Sequence, residues 1–404
     1  VSQHVPSPHS AEQPAEQPAE QPRPLEGVLI ADFSRILAGP LATMTLADLG
    51  ARVIKVERPG AGDDTRSWGP PFSEAGAATY FESVNRNKES IALDLGDPSD
   101  REVARALALR ADVVVENFKV GGMDKLGLGY AALAEHNPGL VYASVSGFGD
   151  VGGAQLAGYD FVVQALGGLM DVTGEAGGEP MKSGVALVDV LTAKDATIAI
   201  LAALRAREST GRGSHVKVNL LSSLQGALVN QGQAFLGAGA VPRRKGNVHP
   251  SIAPYQSLRC ADAPLAVACG NDGQFARMCA ELGLAGLESD ERFATNPARV
   301  RNREELEVLL EGGLAADTAE NWQARFEAAG VPAGKVATIE EGVQYAESLG
   351  LEPVLTVHDD AGEPVGRQFR HPATWVPAFP APAAAPPALG AHSDAVRAWL
   401  EVRD

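Results

Sequence analysis

From Leu25 onward, short β-branched apolar runs alternate with longer runs whose apolar residues recur at helical spacing. Val28–Phe33, Arg52–Val56, Asp112–Glu116 and Leu140–Ser146 read as strands, and Leu41–Leu49, Arg101–Arg110 and Tyr130–His136 as helices. Strands alternating with helices predict an α/β fold with a Rossmann-like, doubly wound, mostly parallel sheet. Ligands on such sheets bind at the carboxyl ends of the strands. The Ala/Leu/Ile-rich stretch Val190–Arg207 predicts a long helix, with Gly211 suited to the left-handed position that ends it. Ser183–Val188 ahead of it reads as extended. His215–Leu221 reads as a closing strand, and Leu221–Gly237 as helical.

The pattern then changes. Pro254–Cys260 and Pro264–Ala268 look like paired strands of a smaller α+β domain, followed by a helix at Phe275–Leu282. Between them Gly270 and Gly273 flank Asn271 and Asp272, which suits either a short lid or a capped helix start. Arg303–Leu310, Thr318–Ala328 and Ile339–Ser348 have amphipathic spacing. Pro372–Ala388 reads as an extended wrap and Ala391–Leu400 as a closing helix near Ser393. The expected division is a disordered tail at 1–24 with AEQP repeats, then a large domain at 25–220. A linker at 221–245, a small domain at 246–335 and a return segment at 336–404 complete it.

Composition narrows the function. A formal charge of −17 and the lack of Lys/Arg clusters argue against nucleic acid and anionic membranes as partners. No apolar run reaches membrane-spanning length. Cys260, Cys269 and Cys279 are odd in number and lack metal-ligand spacing, so a reducing cytoplasm and no metal site are expected.

Two acids invite a chemical reading. Glu57 ends the second strand where a ribose-binding acid would sit, but the first turn, SRILAGP, has no G-x-G-x-x-G, which discounts a dinucleotide site. Asp189 stands just before the long apolar helix. One reading makes it an N-cap, its carboxylate accepting first-turn N–H groups. The other holds the carboxylate ionised at the helix N-terminus, beside N–H donors for a developing oxyanion. The residues alone leave both open.

The motifs GYDFVVQALGGLM at Gly158–Met170, GVALVDVLTA at Gly184–Ala193 and TGRG at Thr210–Gly213 resemble the class III CoA-transferases. So do DFSRILAGP at Asp32–Pro40, GARVIKVERPGAGDDTR at Gly50–Arg66, NRNKESIALDL at Asn85–Leu95 and VENFKVGGMDKLGLGY at Val115–Tyr130. The likeness runs in order from Leu25 to the C-terminus. It implies that Asp189 is a covalent nucleophile and that acyl-CoA and a free acid are the substrates, with no permanently bound cofactor. It places CoA contacts at Ile36, Leu37, Ala38, Arg58, Leu93, Asn117, Phe118, Lys125 and Leu126. It also implies an interlocked homodimer. GNVHPSIAPYQ and GNDGQF are closest to members using short dicarboxylic acids, with Tyr159 and His249 as candidate substrate contacts. Leu37 replaces the glutamine of oxalate-using members. Tyr159-Asp160 stands where the related racemases carry His-Asp, and tyrosine is a poor base at neutral pH. Transfer is therefore favoured over an acyl-CoA racemase or epimerase, and a non-catalytic CoA-binding protein is the other alternative.

Overall fold

The computed structural model describes residues 22–379 and 382–402; residues 1–21, most of the expected tail, lie outside it. Six strands form one parallel sheet: β1 (Leu29–Asp32), β2 (Arg52–Glu57), β3 (Lys88–Ala92), β4 (Val113–Glu116), β5 (Val141–Ser146) and β6 (His215–Asn219). Their order is β3-β2-β1-β4-β5-β6. The chain winds one way from β1 and the other way from β4, so a crevice opens at the carboxyl ends of that central pair.

The alternating pattern did not reveal β3, because Lys88, Glu89 and Ser90 read as polar. Lys88 and Ser90 are nonetheless buried, held by ionic and hydrogen-bonding partners rather than by apolar contact. One face of the sheet is covered by the helices Pro98–Arg110 and Ser393–Glu401, which bury Ala104, Leu107 and Val396. The other is covered by Ala38–Asp48 and Leu187–Thr210. These two helices meet largely through alanines, including Ala42, Ala193 and Ala196, which allow close backbone approach.

The long helix starts at Leu187, earlier than its apolar periodicity suggests, and Ser183–Val188 forms no strand. Its far end closes as expected, with Gly211 in the left-handed region. Leu221–Gly237 is not one helix. It divides into Leu220–Ala227 and Val229–Ala238, with Val229 at positive φ.

A second sheet contains β7 (Tyr255–Arg259), β8 (Pro264–Ala268) and β9 (Ala333–Lys335), all antiparallel. It packs on its own core of Phe275, Met278, Phe293, Trp322 and Phe326. The helix after β8 spans Asp272–Glu281, and the Asn271 side chain accepts the Gln274 N–H. Of the two readings for the Gly270–Gly273 turn, the capped helix start is the one adopted. A hairpin of β10 (Val354–His358) and β11 (Pro364–Phe369) follows.

Candidate active site

The floor of the central crevice is built from buried charge. Lys88 Nζ lies 3.1 Å from Asp32, and Lys55 Nζ 2.9 Å from Asp63, all four side chains fully buried. Burial alone would raise the Asp32 pKa, but Lys88 and Lys55, with the Ser34 and Thr43 hydroxyls, hold it at about 2. Glu57 receives Arg66 through two 2.7 Å bonds and Ser90 through a third. The strand-end acid that mimicked a ribose ligand is therefore consumed by structural partners.

This network holds the turn after β1 in an unfavourable shape. Ile36 has φ +73°, a left-handed conformation costing a β-branched residue about 1–2 kcal/mol. Both carboxylate oxygens of Asp63 accept the Ile36 N–H at 3.2 Å, and Lys55 holds Asp63. Gly39 completes the turn, since a Cβ there would lie 2.3 Å from Ser34 Cβ. Asn117, just after β4, donates to Arg35 O at 2.7 Å and accepts the Arg35 N–H at 2.9 Å. One side chain thus ties together the two loops that diverge at the switch point.

Two cavities open there. The first, about 150 Å³, is lined by Ile36, Leu37, Ala38, Asn117, Phe118, Tyr159, Asp160 and Asp189, among others. The loop Phe148–Ala157 forms one wall. Its neck is closed by Gly147 and Gly158, where a Cβ on either would sit 2.2 Å from the other's Cα. The second cavity, about 350 Å³, is lined by Arg58, Leu93, Leu95, Lys55 and Asp63. Arg35 and Phe118 line both, so the two form one groove. Asp64 bridges the Arg35 and Arg58 guanidiniums at 2.9 and 3.1 Å, fixing two cations along it.

Asp189 is the third residue of its helix, not the N-cap. The cap comes from another element. Asp160, at the start of the helix Asp160–Leu166, accepts the Val188 and Asp189 N–H groups on Oδ2 at 2.7 and 3.2 Å. Nor is the Asp189 carboxylate held ionised by the helix end. Burial, then repulsion from Asp160, pushes its pKa up to about 7. Tyr80 is close by: its phenol is pushed up to about 12 by burial and then by the Asp189, Asp160 and Asp63 carboxylates. Its ring meets Trp68 edge-on, with centroids 5.2 Å apart.

The model of CoA-transferase family III matches residues 25–393. This chain belongs to CoA-transferase family III. It is 43% identical to the succinate–glutarate CoA-transferase of Agrobacterium fabrum, over 83% of this chain and 86% of that protein. It is 40% identical to the mouse succinyl-CoA:glutarate CoA-transferase, over 92% of this chain and 85% of the relative. Among solved structures, a CAIB/BAIF family protein from Brucella suis superposes with a TM-score of 0.85 at 44% identity, covering 94% of this chain and all of that one.

Of the CoA contacts that resemblance to the family implied, the groove gathers Ile36, Leu37, Ala38, Asn117, Phe118, Arg58 and Leu93. Lys125 is exposed and Leu126 packs against the core, and neither lines either cavity. Tyr159 lines the first cavity with its ring largely exposed. His249 does not reach it: the ring lies tilted against Tyr255, centroids 5.0 Å apart, and its Nδ1 accepts the Ser251 N–H. The nearby linker cations are engaged too, Arg243 and Arg244 pairing with Asp171. Arg35, Lys119 and Tyr80 escaped the sequence reading. The SRILAGP motif contains Arg35, but nothing local distinguishes it from a solvated charge. As a family III CoA-transferase, the chain has no helix among the described residues long and apolar enough to cross a membrane.

Proposed function

We propose that this enzyme transfers CoA from a short acyl-CoA, succinyl-CoA or a close analogue, to a small dicarboxylic acid, with Asp189 as covalent nucleophile. The observation that carries the reading is a carboxylate without a hydrogen-bonding partner among the described residues, in a small cavity continuous with a cation-edged groove. The cavity beside Asp189, about 150 Å³, is the smaller of the two that make the groove, which suits a short acyl group at its inner end. Relatives named for succinate, glutarate and mesaconate support the same acid class.

The Asp189 carboxylate oxygen attacks the thioester carbonyl carbon of the donor. The C–S bond breaks, giving a mixed anhydride and CoA thiolate. The thiolate attacks the Asp189 Cγ, the anhydride C–O bond breaks, and the donor leaves as a carboxylate. An aspartyl-CoA thioester remains. An oxygen of the acceptor carboxylate then attacks Cγ and expels the thiolate, which takes the acyl carbon of the new anhydride and restores Asp189. The covalent route keeps the thioester's energy within the site, provided water is excluded. Arg35 and Arg58 are assigned to CoA phosphates, with Leu93 and Phe118 lining the groove, Ile36–Ala38 and Asn117 along its inner end and Tyr159 beside the acyl group.

A homodimer is part of this reading, supported by the exposed apolar residues Ile198, Phe235 and Leu236 on the helices Leu187–Thr210 and Val229–Ala238. Three free cysteines support a reducing, cytoplasmic setting. The test is a panel of free acids offered with labelled succinyl-CoA. Transfer to a small dicarboxylate is expected, and its loss in a folded, CoA-binding Asp189→Ala variant. No transfer to any dicarboxylate would reject the substrate assignment, and turnover by Asp189→Ala would reject the nucleophile.

A further inference from the structure

We propose that Asp160 is a positioning residue that caps the nucleophile's helix from outside, leaving the Asp189 carboxylate unpartnered and setting its basicity. The proposal rests on Asp189 being the nucleophile. An acid in the first turn of a helix ordinarily gains from the free N–H groups and the helix dipole, which hold it ionised and engaged. A carboxylate so engaged is a weak nucleophile. Here the two amide groups nearest Asp189, its own and that of Val188, are committed to Asp160 Oδ2.

The capping group is itself held in place. Asp160 Oδ1 accepts the Gln164 side-chain N–H at 2.5 Å, one helical turn along. Gln164 is fully buried, and its Oε1 accepts the Ser183 N–H at 2.9 Å. Asp160 and Gln164 together therefore grip the chain at residue 183 and again at 188–189, on either side of the bend into the long helix. Neither partner is local to Asp189 in sequence.

The groups facing Asp189 give this arrangement its chemical consequence. Asp160 is the charge that acts on it, Tyr159 lines the same cavity, and the Tyr80 phenol feels the field of both carboxylates. Arg35 and Lys119 are the cations on the cavity lining, and Arg35 is engaged by Asp64. The helices Ala38–Asp48 and Leu220–Ala227 contribute only the apolar Ala38 and Leu220 to that lining. A neighbouring negative charge thus meets the nucleophile with no close cation to balance it. Repulsion adds to burial in raising the basicity of Asp189, and with it the carboxylate's nucleophilic strength once ionised.

The decisive substitution is Asp160→Asn, which keeps one oxygen for the helix amides and removes the charge. The acid limb of kcat/KM for succinyl-CoA-dependent transfer should move at least about one pH unit lower, and the rate above the limb should fall about tenfold. Asp160→Ser, a neutral cap of different size, should shift the limb the same way. Difference infrared titration of the Asp189 carboxyl, referenced to Asp189→Asn, reads the same shift without turnover. A purely structural cap would lower the melting temperature and the rate but leave limb and titration where they were, and that result overturns the proposal while the nucleophile stands. If Asp189→Ala still transfers CoA, the nucleophile reading fails and this proposal fails with it.

Discussion

Asp32 and Asp189 are two aspartates near the same crevice, and their surroundings drive them in opposite directions. Asp32 is fully buried yet held at about 2, because Lys88 and Lys55 lie against it and two hydroxyls donate to it. Asp189 is less buried and rises to about 7, because burial, with repulsion from the Asp160 carboxylate added to it, meets no cation that offsets it. Burial penalises both anions, and the partner decides the outcome. A carboxylate paired with lysine is a structural member, since its lone pairs are occupied. One placed beside Asp160 keeps its lone pairs for an electrophile.

The largest effect that sharpens this contrast is removal of the unpaired acid. Asp189→Ala should lower transfer by about 10⁴-fold or more while CoA still binds, as expected for loss of a covalent nucleophile. Steady-state transfer and calorimetric titration with CoA check both halves. Next is removal of a cation from the paired acid. Lys88→Met leaves Asp32 short of a partner and should destabilise the fold by about 3–5 kcal/mol in urea titration, with activity lost only as folding is lost.

The pH dependence separates the two acids more gently. The proposed nucleophile must be ionised to attack, so kcat/KM should fall towards tenfold per pH unit below about 7, about 50-fold between pH 7 and pH 5. A flat profile over that range would contradict the raised pKa. The smallest effect is on stability, and its sign differs between the two. Asp32 has a folded pKa below its unfolded value near 4, so its contribution is present above about pH 4 and lost as pH falls towards 2. Asp189 has a folded pKa above its unfolded value, so it costs stability increasingly from about pH 4 to 7 and fully above that. Asp189→Asn should therefore melt higher than wild type at pH 8, and the difference should vanish below about pH 4.

Much of the fold was legible because its signals are local. Five of the six parallel strands followed from apolar runs, and the end of the long helix from Gly211. The strand that escaped, β3, is stabilised by Lys88 with Asp32 and Ser90 with Glu57, and those pairings leave no apolar trace in the chain. The residues around Asp189 left its role open for a related reason. An aspartate near the start of a helix has the same sequence appearance whether it caps that helix or another group caps for it.

By itself, then, the sequence determined the alternation that makes a parallel α/β sheet, the placing of an acid at the mouth of the long helix, and the motifs of the family. Those are properties of neighbouring residues, set by periodicity, backbone preference and residue type. Only the tertiary structure decided that β1 and β4 would part beside Asn117, that Ile36 would be held at positive φ by Asp63, and that Asp160 would meet the helix of Asp189. Each depends on groups far apart in the chain. A carboxylate's reactivity follows the charges and donors around it in space, and in this molecule the fold alone brings those together.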